Sequence, residues 1–308
     1  MFDLRTAIYR SVKILAAAAL LAAGLKIAFV DVVRCAGSSM EPTILHGDRV
    51  LVFTTKSKPV VRRWSSRSYG KTIIFKSPFE PGTFGMLRVA AYSGDTISID
   101  SGKVLASHQQ PRSLQSAALK TDVVPADYSP RDYFHSYRVP AKKDLLLLNR
   151  LSLRDLFFAR SIIQQEHPGK QVTVRPSLFL DDSLCTGYSL TDFSLYNGKL
   201  DSVPDSLRYN WFFWDRMEEY LFQKHDTRKV MLLFTILEDG TALTEYRVRD
   251  DYYFLLADNR KTGLDSRYTG PVRRSSCIGT AGLVLWSHGA NGHGKKHFRF
   301  NRLGKIVR

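Results

Sequence analysis

Cys35-Ala36-Gly37-Ser38-Ser39-Met40-Glu41-Pro42-Thr43-Ile44, followed by Gly47-Asp48-Arg49-Val50, is a run of small residues broken by a serine pair, a methionine and a proline. Small residues let backbone approach backbone, and the proline stiffens the exit. A segment of this kind suits a nucleophile held close to free backbone N–H groups. Read alone, the same string is also a Ser/Gly turn closed by a proline. The residues on either side separate the two readings.

The 308-residue chain is long enough for one large or two ordinary domains, and 44 % hydrophobic content points to a packed core. The formal net charge is +16. It is concentrated in two acid-free stretches: eight bases lie between Asp48 and Glu80, and six more between His288 and the last residue. Such basicity suits an anionic surface, either lipid headgroups or nucleic acid. The acid-free loop around Trp64 reads either as an interfacial loop or as a solvated one whose Trp packs inward. Cys35, Cys185 and Cys277 are odd in number and widely spaced, so no obligatory disulfide framework is expected. His288, His293 and His297 have no Cys or carboxylate companion, and neither a metal nor a cofactor is expected.

Upstream, Arg5, Arg10 and Lys13 precede an apolar run from Ile14 to Val30, 17 residues with the single charge Lys26. That is the lower length limit for a transmembrane helix, and its positive flank predicts an N-inside, C-outside anchor. A cleaved signal peptide is the rival reading, but Asp31 and Arg34 interrupt the region where a small-x-small site would stand. With an anchor, Ser39 lies nine residues past Val30, at the membrane surface.

Downstream, Val50–Phe53, Thr72–Phe75, Leu87–Tyr92 and Gly94–Ile99 are short β-branched or aromatic runs. Asp100-Ser101-Gly102-Lys103 turns the chain into a hairpin. From about Ala106 to Thr244 the character changes. Ser152–Glu166 has the period of an amphipathic helix, and Leu207–Lys224 is a second helix carrying the aromatic cluster Trp211–Trp214. Strand signals resume at Glu245–Val248, Tyr252–Leu256 and Ile278–Trp286. The pattern predicts a mainly β domain over 34–105 and 245–288, an inserted α+β domain over 106–244, a cytoplasmic N-terminus and transmembrane anchor over 1–33 and a basic tail over 289–308.

Four blocks in order now carry a resemblance: Gly37-Ser38-Ser39-Met40-Glu41-Pro42-Thr43; Gly47-Asp48; Arg88-Val89 with Gly94-Asp95; and Asp258-Asn259-Arg260 with Asp265-Ser266-Arg267-Tyr268 and Gly270. With the N-terminal apolar run, they resemble type I signal peptidases, membrane-bound serine proteases that remove signal peptides from exported proteins. The resemblance covers about 10–100 and 245–290, and only loosely Tyr137-Arg-Val-Pro140. It implies Ser39 as nucleophile, with Ser38, Met40 and Pro42 at the oxyanion and substrate groove. Asp48, Arg88, Asp258, Asn259, Arg260, Asp265, Ser266 and Arg267 form the structural motif, with Asp265 and Arg267 as an ion pair. It also implies a catalytic domain on the outer, periplasmic side of the inner membrane. The implied partners are preprotein signal peptides, membrane lipid and a second peptidase or the secretion machinery.

Three positions depart from the pattern. The family's base is a lysine directly before Arg88, where this chain has Leu87, and leucine accepts no proton. The family's supporting serine, two residues before Asp265-Ser266-Arg267, is Gly263, and the usual glycine before Asp258 is Ala257. Two versions follow: a peptidase with a substitute base, for which His135, Lys142 or Lys143 are candidates, and a non-catalytic homologue that binds preproteins or a partner peptidase. A basic membrane-surface or nucleic-acid-binding module is the reading from another class. It leaves Asp258-Asn259-Arg260 and the apolar run unexplained, so no nucleic-acid partner is expected.

Overall fold

The computed structural model describes residues 11–18, 24, 30–54, 69–78, 82–107, 130–290 and 296–307. The chain divides into two compact units, one of Met1–Val89, Ala257–Gly263 and Ser276–Arg308, the other of Ala90–Leu256 and Leu264–Ser275. Thus the chain leaves the first unit after Val89, inside a continuous strand, and re-enters it at Ala257. The hairpin at Asp100–Lys103 and the strands at Glu245 and Tyr252 belong to the second unit.

Residues 11–18 are helical and exposed. Most of the expected span Ile14–Val30 lies outside the described residues, as does the basic loop around Trp64. Among the described residues no helix is long and apolar enough to cross a membrane. Val30, the last residue of that span, already opens a strand.

In the first unit, Val30–Arg34, Asp48–Thr54, Cys277–Ala290, Thr72–Lys76 and the first part of Phe84–Tyr92 lie side by side, each antiparallel to the next. Alternation explains the burial of Asp48–Thr54: Asp48, Val50 and Val52 point inward, while Arg49 and Phe53 point out. The basic tail is not a free arm where it is described. Lys296–Phe298 pairs with the end of Cys277–Ala290, and Lys305 and Val307 exchange backbone hydrogen bonds with Gly282 and Val284. Arg302 is buried and forks onto Asp48, which is fully buried, at 3.0 and 2.5 Å.

The second unit has a three-stranded sheet, with Thr96–Asp100 between Lys103–Ser107 and Phe134–Arg138. The turn expected at Asp100–Lys103 is present, with Ser101 at φ 48° and Gly102 at φ 76°. A four-stranded sheet centred on Val172–Leu180 and Val230–Glu238 packs against two helices, Leu153–Glu166 and Trp211–Lys224. Ser152 caps the first by accepting from the Asp155 N–H. The second begins at Trp211 rather than Leu207, because Asn210 is extended and its side chain accepts from the Phe212 N–H, restarting the helix. Trp211, Phe213 and Trp214 are core residues, as the aromatic cluster suggested.

Breaking a buried ion pair leaves an uncompensated charge, at a cost of about 3–5 kcal/mol. Arg302→Ala is therefore expected to lose about 3 kcal/mol or more in urea unfolding. The exposed neighbour variant Lys305→Ala should stay within about 0.5 kcal/mol of the parent.

Candidate active site

The Ser39 loop hangs between the strands Val30–Arg34 and Asp48–Thr54. Its base is closed by backbone bonds from Cys35 N–H to Asp48 O (2.8 Å) and from Gly47 N–H to Cys35 O (3.0 Å). Gly47 sits at φ 89° with its Cα against the His288 carbonyl, so no side chain fits there. Above the base, the Gly37 N–H donates to His46 Nδ1 at 3.1 Å. Met40 and Ile44 bury their side chains and anchor the loop, while Ser38 and Pro42 are exposed and Ser39 is half-buried. The Asp48 carboxylate also accepts from the Leu45 N–H, and Arg302 donates to the Thr43 carbonyl. One buried ion pair thus holds the descending limb of the loop at two points.

The Asp258–Gly263 turn holds the Ser39 side. The Asn259 N–H donates to the Ser39 carbonyl at 2.9 Å, and the Asn259 side-chain amide donates to the Ser38 carbonyl at 3.3 Å. The turn closes on itself through Gly263 N–H to Asn259 O at 2.8 Å. Arg88 secures it to the sheet by a two-pronged pair with Asp258, both bonds at 2.6 Å, and the same guanidinium donates to the Gly70 carbonyl. Burial pushes the Asp258 carboxyl up, but hydrogen bonds from Arg88 and Thr43 and the Arg88 and Arg260 charges outweigh it, so its pKa lies below the ordinary carboxylate value. Asp258 is therefore a charged brace, not an acid. Asp48 behaves alike, with burial opposed successfully by Arg302, Ser287 and the Leu45 N–H. Burial, aided by the Asp48 and Glu41 charges, pushes the Cys35 thiol up to about 11, which removes it as a nucleophile near neutrality.

Leu87 stands beside Arg88 and pairs across the sheet with Ile73. Its side chain leaves the strand on the face opposite Arg88 and is buried. Ala257 and Gly263 are buried as well. A Cβ built on Gly263 would fall within 3.0 Å of the Ala257 Cβ, 2.8 Å from the Asn259 carbonyl oxygen and 3.6 Å from the Ser39 carbonyl oxygen. All three departures from the resemblance are small or hydrocarbon groups in the first unit, and two of them touch the turn that holds Ser39.

The sequence match is decisive at this point. A family model described as signal peptidase, peptidase S26, matches residues 8–143 and 214–286, more than half the chain. The chain belongs to the signal peptidase S26 family. Membership supports a signal-peptidase-type function and signal-peptide-bearing substrates. No curated protein matches the chain.

Of the residues singled out from the sequence, the S26 fold brings Ser38, Ser39, Arg88, Asp258, Asn259 and Gly263 into one hydrogen-bonded cluster of the first unit. Asp48 supports the loop from its other limb. Asp265, Ser266 and Arg267 belong to the second unit. There Arg267 pairs with Asp265 at 2.8 Å, both fully buried, and the Ser266 hydroxyl accepts from the Leu255 N–H. Trp211 Nε1 donates to the Arg267 carbonyl at 3.0 Å, tying the motif to the helix core. His135, Lys142 and Lys143 are also residues of the second unit. Sequence reasoning missed Arg302, which looked like one more tail charge. It also missed Thr43 as a donor to Asp258. Neither has a local signature.

A carboxyl whose pKa is depressed by folding contributes stability above its unfolded value of about 4, and that contribution fades as pH falls through the folded value. The stability gap between the parent and Asp258→Asn, read by urea unfolding, should be full at pH 7 and shrink steadily below about pH 4. A gap independent of pH would contradict the brace.

Proposed function

We propose that this protein receives the signal peptides of exported preproteins at the Ser39 loop, and that its lysine-dependent cleavage is lost or greatly weakened. The observation that carries the reading is a contrast within the first unit. The parts that position Ser39 are present: the Asn259 clamp on its carbonyl and the Arg88–Asp258 brace. The position expected to hold the proton acceptor is the buried Leu87.

In this reading Ser39 is the nucleophile position, and its own N–H contributes to an oxyanion hole beside Ser38, Met40 and Pro42. A serine hydroxyl attacks a peptide carbonyl only as its proton is removed, and a positioned base contributes about 10²–10⁴-fold to such a step. Leucine contributes nothing to it. What remains is a loop held in shape for an extended peptide, with the hydroxyl exposed to a carbonyl it cannot readily attack. An N-terminal anchor with its N-terminus inside, and placement on the outer face of the inner membrane among lipid headgroups, belong to the same proposal. So does a second peptidase or the secretion machinery as the partner that takes over bound preproteins.

The test reconstitutes the full chain in lipid vesicles with a preprotein. Parent and Ser39→Ala are expected to cross-link to the signal peptide equally and to cleave it at the same background rate. Cleavage by the parent that Ser39→Ala abolishes would overturn the loss of catalysis. Absence of preprotein binding would overturn the function.

A further inference from the structure

The turn that holds Ser39 is packed so tightly that its two smallest residues cannot change independently. Gly263 is buried, and its N–H closes the turn onto the Asn259 carbonyl at 2.8 Å. That same Asn259 carries, on its N–H, the bond to the Ser39 carbonyl at 2.9 Å. Any side chain at 263 would begin with a Cβ within 3.0 Å of the Ala257 Cβ and 2.8 Å from the Asn259 oxygen. Neither neighbour is the far end of a flexible side chain. One is a methyl on a residue with no exposure, and the other is backbone. Relief has to come from movement of the turn, and Asn259 is the residue of that turn which meets the added side chain. Ala257 adjoins Asp258, whose carboxylate Arg88 grips at two points, so the 257 side of the contact is pinned to the sheet.

We infer that Ala257 and Gly263 are a sterically coupled pair of positioning residues: the Ala257 methyl occupies the space a side chain at 263 would need, and their combined size sets the seat of the Asn259 N–H on the Ser39 carbonyl. Even a serine at 263 is excluded while Ala257 is present. Removing the Ala257 methyl relieves the worse of the two close approaches and leaves the one to the Asn259 oxygen, so the coupling predicts partial rescue.

The test compares the parent, Gly263→Ala, Ala257→Gly and the double variant by amide hydrogen exchange of the full chain. The expected result is faster exchange of the Asn259 amide in Gly263→Ala, by about three- to tenfold, the equivalent of one weakened hydrogen bond. Sheet amides such as Val52 and Val284 should not change, and adding Ala257→Gly should recover part of the protection. A uniform rise at every amide would mean simple destabilisation and overturn the inference, as would unchanged Asn259 exchange or no recovery in the double variant. Should Gly263→Ala fail to fold, folding of the double variant supports the coupling and its failure overturns it. Preprotein cross-linking forms a separate arm, which rests on the function proposed above: it should weaken in Gly263→Ala and recover in the double variant. Absence of cross-linking by the parent would sink that function and leave the exchange result standing.

Discussion

The Arg88–Asp258 pair is the constraint on which the site depends. Arg88 lies on a strand in the first third of the chain, and Asp258 lies 170 residues later, where the chain re-enters the first unit. Their two-pronged bond places the following residue, Asn259, so that its N–H meets the Ser39 carbonyl. Hydrogen bonds to charged groups contribute about 1.5–3 kcal/mol, enough to fix where the turn meets the sheet. The lowered pKa of Asp258 is the same interaction expressed as protonation.

A second clamp works from the opposite limb. Asp48 and Arg302, both buried, reach Leu45 and Thr43 and hold the descending part of the loop. A residue of the basic tail thus supports the Ser39 loop. An isolated buried pair is weak evidence for stability, because desolvation offsets much of the attraction. Its value here is geometric: the charges fix where the loop returns to the sheet.

Between these clamps, Ser39 is positioned by groups remote from it in sequence. Positioning of the serine survives through backbone carbonyls and an asparagine, none of which requires the residue at 87. Leu87 is buried and pairs across the sheet with Ile73, so a hydrocarbon side chain fits this strand without disturbing it.

The sequence alone determined most of the local structure. Alternation in Asp48–Thr54, the Ser101-Gly102 turn and the Ser152 cap are set by neighbouring residues, and so is the run from Cys35 to Asp48 as a close-packed loop. It also exposed Leu87, Ala257 and Gly263 as departures, because a motif is a statement about residue types in order. Only the tertiary structure decided what those departures mean together, since Ala257 and Gly263 meet across a turn and no spacing rule registers a steric contact. The same holds for Arg302, indistinguishable in the sequence from its basic neighbours until the fold buries it against Asp48. Long-range partners are chosen by where the chain returns in space, and that is settled by packing of the whole unit rather than by any local run of residues.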